Sequence, residues 1–96
     1  MIRHIVLFQA ADGTPQTTLD EAARRLEALV GVVPGLRSMS AGANGLDLEG
    51  NYDLALVADL DDAEALAGYA VHPAHVEVAE LIGTFKTGRA AVDIAL

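Results

Sequence analysis

Seven consecutive residues, Tyr69-Ala-Val-His-Pro-Ala-His75, hold one of two tyrosines and two of three histidines in a 96-residue chain. The third histidine, His4, sits in an apolar run near the start, and an aspartate, Asp93, interrupts an apolar run near the end. Imidazole titrates near neutral pH and can take up and return a proton there. A base also needs an orienter, and a carboxylate on one ring nitrogen fixes the tautomer and frees the other nitrogen. A phenol can hydrogen-bond a carbonyl oxygen and favour an enolate. Together, His75, Tyr69, His4 and Asp93 have the parts for removing a proton next to a ketone or thioester. Asp93 is expected to orient His75 if the last strand runs beside the helix that carries it.

Each residue also has a purely structural reading. His72 precedes Pro73 and suits a helix cap. His75 and Tyr69 suit a helix–sheet seam, and His4 on an apolar strand needs a partner because burying an unpaired imidazole is unfavourable. Asp is depleted in strands, so Asp93 needs a donor too. The His72–His75 spacing is H-x-x-H, but a proline-broken helix start is an irregular platform for a metal and cysteine is absent. Neither metal nor haem is expected. The glycine-containing stretch Gly42–Gly50 lacks the Lys-Ser/Thr of a phosphate loop, so no cofactor is expected.

The elements that must position these residues can be read from hydrophobic period. Ile2–Gln9 reads as a strand with His4, Val6 and Phe8 on one face and Ile5 and Leu7 on the other. Asp12-Gly13-Thr14-Pro15 marks a turn. Thr18 and Glu21 have capping-box spacing, and apolar residues from Leu19 to Val33 recur at helical spacing, so a helix is expected to end near Val32. Leu36–Ala43 reads as a second strand, with Leu36, Ser38 and Ser40 opposite Arg37, Met39 and Ala41. Asp53–Leu60 reads as a third, with Leu54, Leu56 and Ala58 on one face and Ala55 and Val57 on the other.

Asp61-Asp-Ala-Glu64 is a helix start, and Pro73 divides the helical stretch that follows. Its second piece is expected to carry His75, Val76, Ala79 and Ile82 along one stripe and to end near Gly83. After a connection at Thr84–Gly88, Arg89–Leu96 reads as the last strand, with Ala91, Asp93 and Ala95 on one face. The order β-α-β-β-α-β defines an α+β, ferredoxin-like sheet spanning one domain, 1–96. Helices cover one sheet face. The other, with Ile5, Leu7, Ala55 and Val57, is apolar and bare, which points to a homodimer closing two sheets into an α+β barrel. A pocket between sheet and helices is expected to be lined by Phe8, Leu26, Leu54, Leu56 and Leu66.

Composition narrows the partners. The net charge is −8, which disfavours nucleic acid and anionic membranes. The hydrophobic fraction is 52 %, yet no apolar run approaches the roughly 18 residues of a membrane span. The starting run, MIRHIVLFQ, is too short in its apolar core for a signal peptide, so a cytoplasmic location is expected.

MIRHIVLFQ, the segment GNYDLALVADLDDAEALAGYAVHPAHVEVAELI and the ending AAVDIAL resemble the stress-responsive A/B barrel (Dabb) family across essentially the whole chain. The resemblance implies a ferredoxin-like fold and a homodimeric barrel. One branch of that family resembles olivetolic acid cyclase, a plant enzyme that cyclises a linear polyketide by aldol condensation. It implies His75 as general base, Tyr69 as the group that orients or polarises the substrate, His4 as a pocket histidine and Asp93 as the carboxylate supporting the base. Where that cyclase has a Y-x-H segment, this chain has Tyr52-Asp-Leu54. Leu54 cannot donate, accept or titrate. The expected activity is therefore acid–base, cyclase-like or lyase-like chemistry on a small, largely apolar carbonyl compound; the alternative is a stress-linked or structural dimer whose His and Asp only satisfy each other.

Overall fold

The computed structural model describes residues 1–96. Its elements run β1 (Ile2–Ala10), α1 (Gln16–Glu27), β2 (Leu36–Ala43), β3 (Leu54–Leu60), α2 (Ala63–Val71), α3 (Pro73–Gly83) and β4 (Lys86–Ala95). The strands form one antiparallel sheet in the order β2-β3-β1-β4. This is the ferredoxin-like α+β arrangement that the element order predicts. No helix is long and apolar enough to cross a membrane.

Alternation decides the two faces of the sheet. Val6, Phe8, Leu54, Leu56, Ala58 and Leu60 are buried beneath the helices together with Leu19, Ala22 and Leu26 of α1. On the opposite face Leu7 and Val57 are each 37 % exposed, Val92 53 % and Ile94 42 %.

Sequence expectations are corrected in four elements. The Thr18–Glu21 capping box does not form: α1 begins at Gln16 with Pro15 at its N-cap and no side-chain cap bond. The fixed φ of proline, here −62°, supplies the entry instead, and Glu21 pairs with Arg24 and Arg25. The same helix ends at Glu27, not near Val32, but Leu29 and Val33 stay buried because a further turn carries the chain round through Gly31, φ +87°.

In β2 the register against β3 shifts between Leu36 and Ser38. The additional residue reverses the alternation, so Leu36 lies on the core side with Met39, Ala41 and Ala43, not with Ser38 and Ser40. Arg37, displaced outward, makes a two-pronged ion pair with Asp61, at 2.5 and 2.9 Å.

Third, α3 buries Val78 and Ile82, whereas Val76 is 39 % exposed. Last, β4 starts at Lys86, inside the stretch expected to be a connection. Its early residues pair with the end of β1, where the register shifts between Gln9 and Ala10. The Asp53 carboxylate accepts the Ala10 N–H at 2.7 Å and satisfies the backbone at that irregularity.

Gly35 fixes how α2 meets the sheet. Its φ is +80°, and a Cβ there would lie 2.7 Å from the Ala65 Cβ. Only glycine adopts that backbone readily and allows that approach.

Candidate active site

Asp62 starts α2 by accepting the Ala65 N–H at 2.8 Å. Eleven residues later Pro73 cannot donate to the helix, so α2 stops and α3 begins. His72 serves both helices: it is the C-cap of α2 and the N-cap of α3, and its Nδ1 accepts the Ala74 N–H at 3.1 Å. The break turns the chain so that Tyr69 and His75, six residues apart, pack at a tilt: their ring centroids are 4.3 Å apart at 45°. From the sheet, His4 meets Tyr69 edge to face, with centroids 6.1 Å apart at 70°.

These three rings border a cavity of about 120 Å³. Its apolar wall comes from Val6, Phe8, Leu26, Leu56 and Ile82, with Ala79 beside them. Lys86 and Arg89 stand where it meets solvent. Of the expected pocket residues, Phe8, Leu26 and Leu56 line this space and Leu54 and Leu66 do not. Leu54 is 1 % exposed and sealed into the core beside its β1 partner Phe8. Leu66, one helical turn before Tyr69, packs at the core margin.

Asp93 does not support His75. It lies directly opposite His4 in the β1–β4 register, and its Oδ1 accepts the His4 Nδ1–H at 2.5 Å. Antiparallel partners share a face and stand side by side, so strand pairing gives Asp93 to His4. His75 instead donates its Nδ1–H to the Ala70 carbonyl at 3.2 Å. A carbonyl oxygen can only accept, so this bond assigns the proton to Nδ1. In the neutral His75 ring the lone pair is therefore on Nε2.

Tyr69 is 2 % exposed, and its hydroxyl is buried with no protein hydrogen-bond partner. Burial pushes its pKa up to about 12, so the phenol keeps its proton. Burial also lowers the His75 pKa, against the opposing hydrogen bond to Ala70; the charges of His4, Arg89 and His72 add to the lowering. The site therefore presents a neutral imidazole and a protonated phenol side by side.

Sequence reading missed Lys86 and Arg89. Period two, carried back from Asp93 through Ala91, reaches Arg89 on the same face; Arg89 pairs with Phe8 in β1. That signal was present, but Thr84–Gly88 reads as a loop and hides where β4 begins.

Comparison with other proteins agrees with this architecture. The stress responsive A/B barrel domain family matches residues 2–96. An uncharacterized protein of Streptomyces coelicolor is 36 % identical over 89 residues, covering 91 % of this chain and 92 % of that protein. A dimeric ferredoxin-like protein of unknown function from Thermobifida fusca superposes with a TM-score of 0.88 at 35 % identity, over 99 % of this chain and 90 % of the other. A dimeric protein of unknown function and ferredoxin-like fold from Bacteroides fragilis gives a TM-score of 0.90 at 27 % identity, over 99 % and 95 %. With its whole four-stranded layer, both crossovers and the residues around the cavity inside the matched span, this chain belongs to the stress responsive A/B barrel (Dabb) family.

Proposed function

We propose that this chain forms a homodimer in which each protomer transfers a proton on a small carbonyl compound, with His75 as base and Tyr69 as the donor to the carbonyl oxygen. The observation that carries this reading is the buried Tyr69 hydroxyl: it has no protein partner, and it belongs to a ring that packs against a neutral imidazole and borders a cavity. Buried polar groups are rarely left unpaired, and the cavity is where a partner can enter.

In the step, His75 Nε2 takes a proton from the carbon next to the carbonyl. The C–H electron pair moves into the C–C bond and the carbonyl pair onto oxygen, where the Tyr69 O–H receives it as a hydrogen bond. The Ala70 carbonyl, accepting from Nδ1, steadies the imidazolium. The enolate carbon then attacks a second carbonyl, as in a cyclisation or other aldol reaction, and the resulting alkoxide takes the proton back from His75; otherwise His75 reprotonates the enolate carbon directly. His4, held by Asp93, packs against the tyrosine ring and helps to order it.

The dimer reading rests on the open sheet face and on the dimeric structural relatives. Ile5, Leu7, Val57, Val92 and Ile94 form one apolar surface on a small acidic chain, and such a surface is favourably covered.

Deuterium wash-in tests the chemistry. Small ketones, 3-oxo acids and acyl thioesters are incubated in D2O and α-carbon exchange is followed by NMR. Accelerated exchange is expected for some members, falling by about 100-fold or more in His75→Ala and also in Tyr69→Phe. No acceleration with any compound, or an unchanged rate in His75→Ala, would end the catalytic reading. A second reading is favoured by the His4–Asp93 bond and the His72 cap, both of which are complete without a substrate: a stress-linked or structural dimer, to which such a result would lead.

A further inference from the structure

Six residues carry a fixed positive charge, against fourteen Asp and Glu. Four of the six are paired: Arg3 with Asp59 at 2.8 Å, Arg24 and Arg25 with Glu21, and Arg37 with Asp61. The two without a carboxylate partner are Lys86 and Arg89, and both border the cavity. No Asp or Glu lines it. In so acidic a chain, two unneutralised cations at one opening form a local reversal of the molecular field.

The geometry points to an anionic ligand: a carbonyl compound bearing a carboxylate, seated with its carboxylate between Lys86 and Arg89 and its carbonyl at Tyr69. This rests on the reading of the cavity as the place where a carbonyl compound is received, and narrows its substrate class. Three properties of the site favour it. Guanidinium matches a carboxylate as a planar two-pronged donor, and an ammonium beside it adds a point charge. Both cations lie on β4, three residues apart, at the exposed side of a mostly apolar space, so the charged end of a ligand stays partly solvated while its chain is buried. The Arg89 charge also reaches both ring groups, acting on Tyr69 and on His75. The same field favours an enolate oxygen developing beside the phenol.

The experiment compares 3-oxo acids of four to eight carbons with their methyl esters, by ligand-observed NMR and calorimetry. At low salt the acids are expected to bind about tenfold more tightly than the esters. That preference should shrink in 0.5 M NaCl, where screening is strong, and disappear in Arg89→Gln combined with Lys86→Gln. Arg24→Gln combined with Arg25→Gln, which changes net charge equally at paired sites outside the cavity lining, should leave it intact. Equal binding of acid and ester, a preference that survives the double variant, or no binding by any member would overturn the inference. The two proposals fail separately. Rim-dependent acid binding without α-carbon exchange removes the proton transfer and keeps the anion site. Exchange that is as fast for esters as for acids does the reverse.

Discussion

Replacing Tyr69 by Phe separates a structural phenol from a functional one. The ring fills the core at 2 % exposure, and Phe retains that packing. What it removes is a buried hydroxyl that bonds no protein group. A hydroxyl with a good protein partner contributes about 1 kcal/mol, whereas an unpartnered one costs about 1–3 kcal/mol of desolvation. Tyr69→Phe is therefore expected to leave stability unchanged or to raise it by up to about 2 kcal/mol, and α-carbon exchange should fall. Urea denaturation at fixed protomer concentration reads the first effect. Alkaline titration gives a second, independent sign. The folded pKa of about 12 exceeds the ordinary 10, so between those values the folded chain keeps a proton that the unfolded chain has released. Folding free energy must then fall as pH rises through that window, by about 3 kcal/mol in all for two pKa units. Tyr69→Phe should lack that component. If the variant is instead destabilised by more than about 1 kcal/mol at pH 7, the hydroxyl makes a structural bond and the carrying observation for catalysis is void.

Three further outcomes are expected. Gly35→Ala should lose about 3 kcal/mol by thermal or urea unfolding, from its φ of +80° and the 2.7 Å approach to Ala65, whereas Gly31→Ala, with similar φ and open space around it, should lose only about 1 kcal/mol. The acid limb of any proton-transfer activity should have its midpoint below the ordinary imidazole value of 6.5, because burial lowers the His75 pKa; the unfolded chain takes up the proton first as pH falls, so this group also withdraws stability on acidification below 6.5, and His75→Gln should reduce that slope. Leu7→Glu, which places a charge in the middle of the open sheet face, should give a monomer by light scattering at micromolar concentration where the parent chain is a dimer; a parent chain that is itself monomeric would contradict the barrel.

What could be read in the sequence followed from period and from proline. Alternation in Ile2–Gln9 and Asp53–Leu60 assigned both sheet faces, because each strand is uninterrupted and a one-residue slip would bury the wrong set. Pro73 located the α2–α3 break and the His72 cap for the same reason in both cases, the missing N–H. Irregularities were not legible. The bulge at Arg37 inverts β2, and nothing in Leu-Arg-Ser-Met distinguishes a bulged run from a regular one. Partner choice among polar residues was hidden as well. Asp93 could be matched to His75 or to His4 as long as only types were known; register decides it, since His4 and Asp93 face each other across adjacent strands.

Incomplete helical cover accounts for the location of the cavity. On the helix side of the sheet, β3 presents only Leu54, Leu56, Ala58 and Leu60, all buried. The polar residues on that side belong to β1 and β4: His4, Asp93 and Arg89. Apart from the half-buried Gly88, β4 is exposed along its whole length, so the helices stop short of it. A charge placed at that boundary keeps its water and costs little, while two strands further in it would require a buried partner. His4 is the innermost polar group and alone has a carboxylate bonded to it; Arg89, further out, has none. The sheet thus grades from apolar to titratable to cationic in the direction in which cover thins, and a ligand with a greasy chain, a central carbonyl and a terminal carboxylate has the same order of polarity.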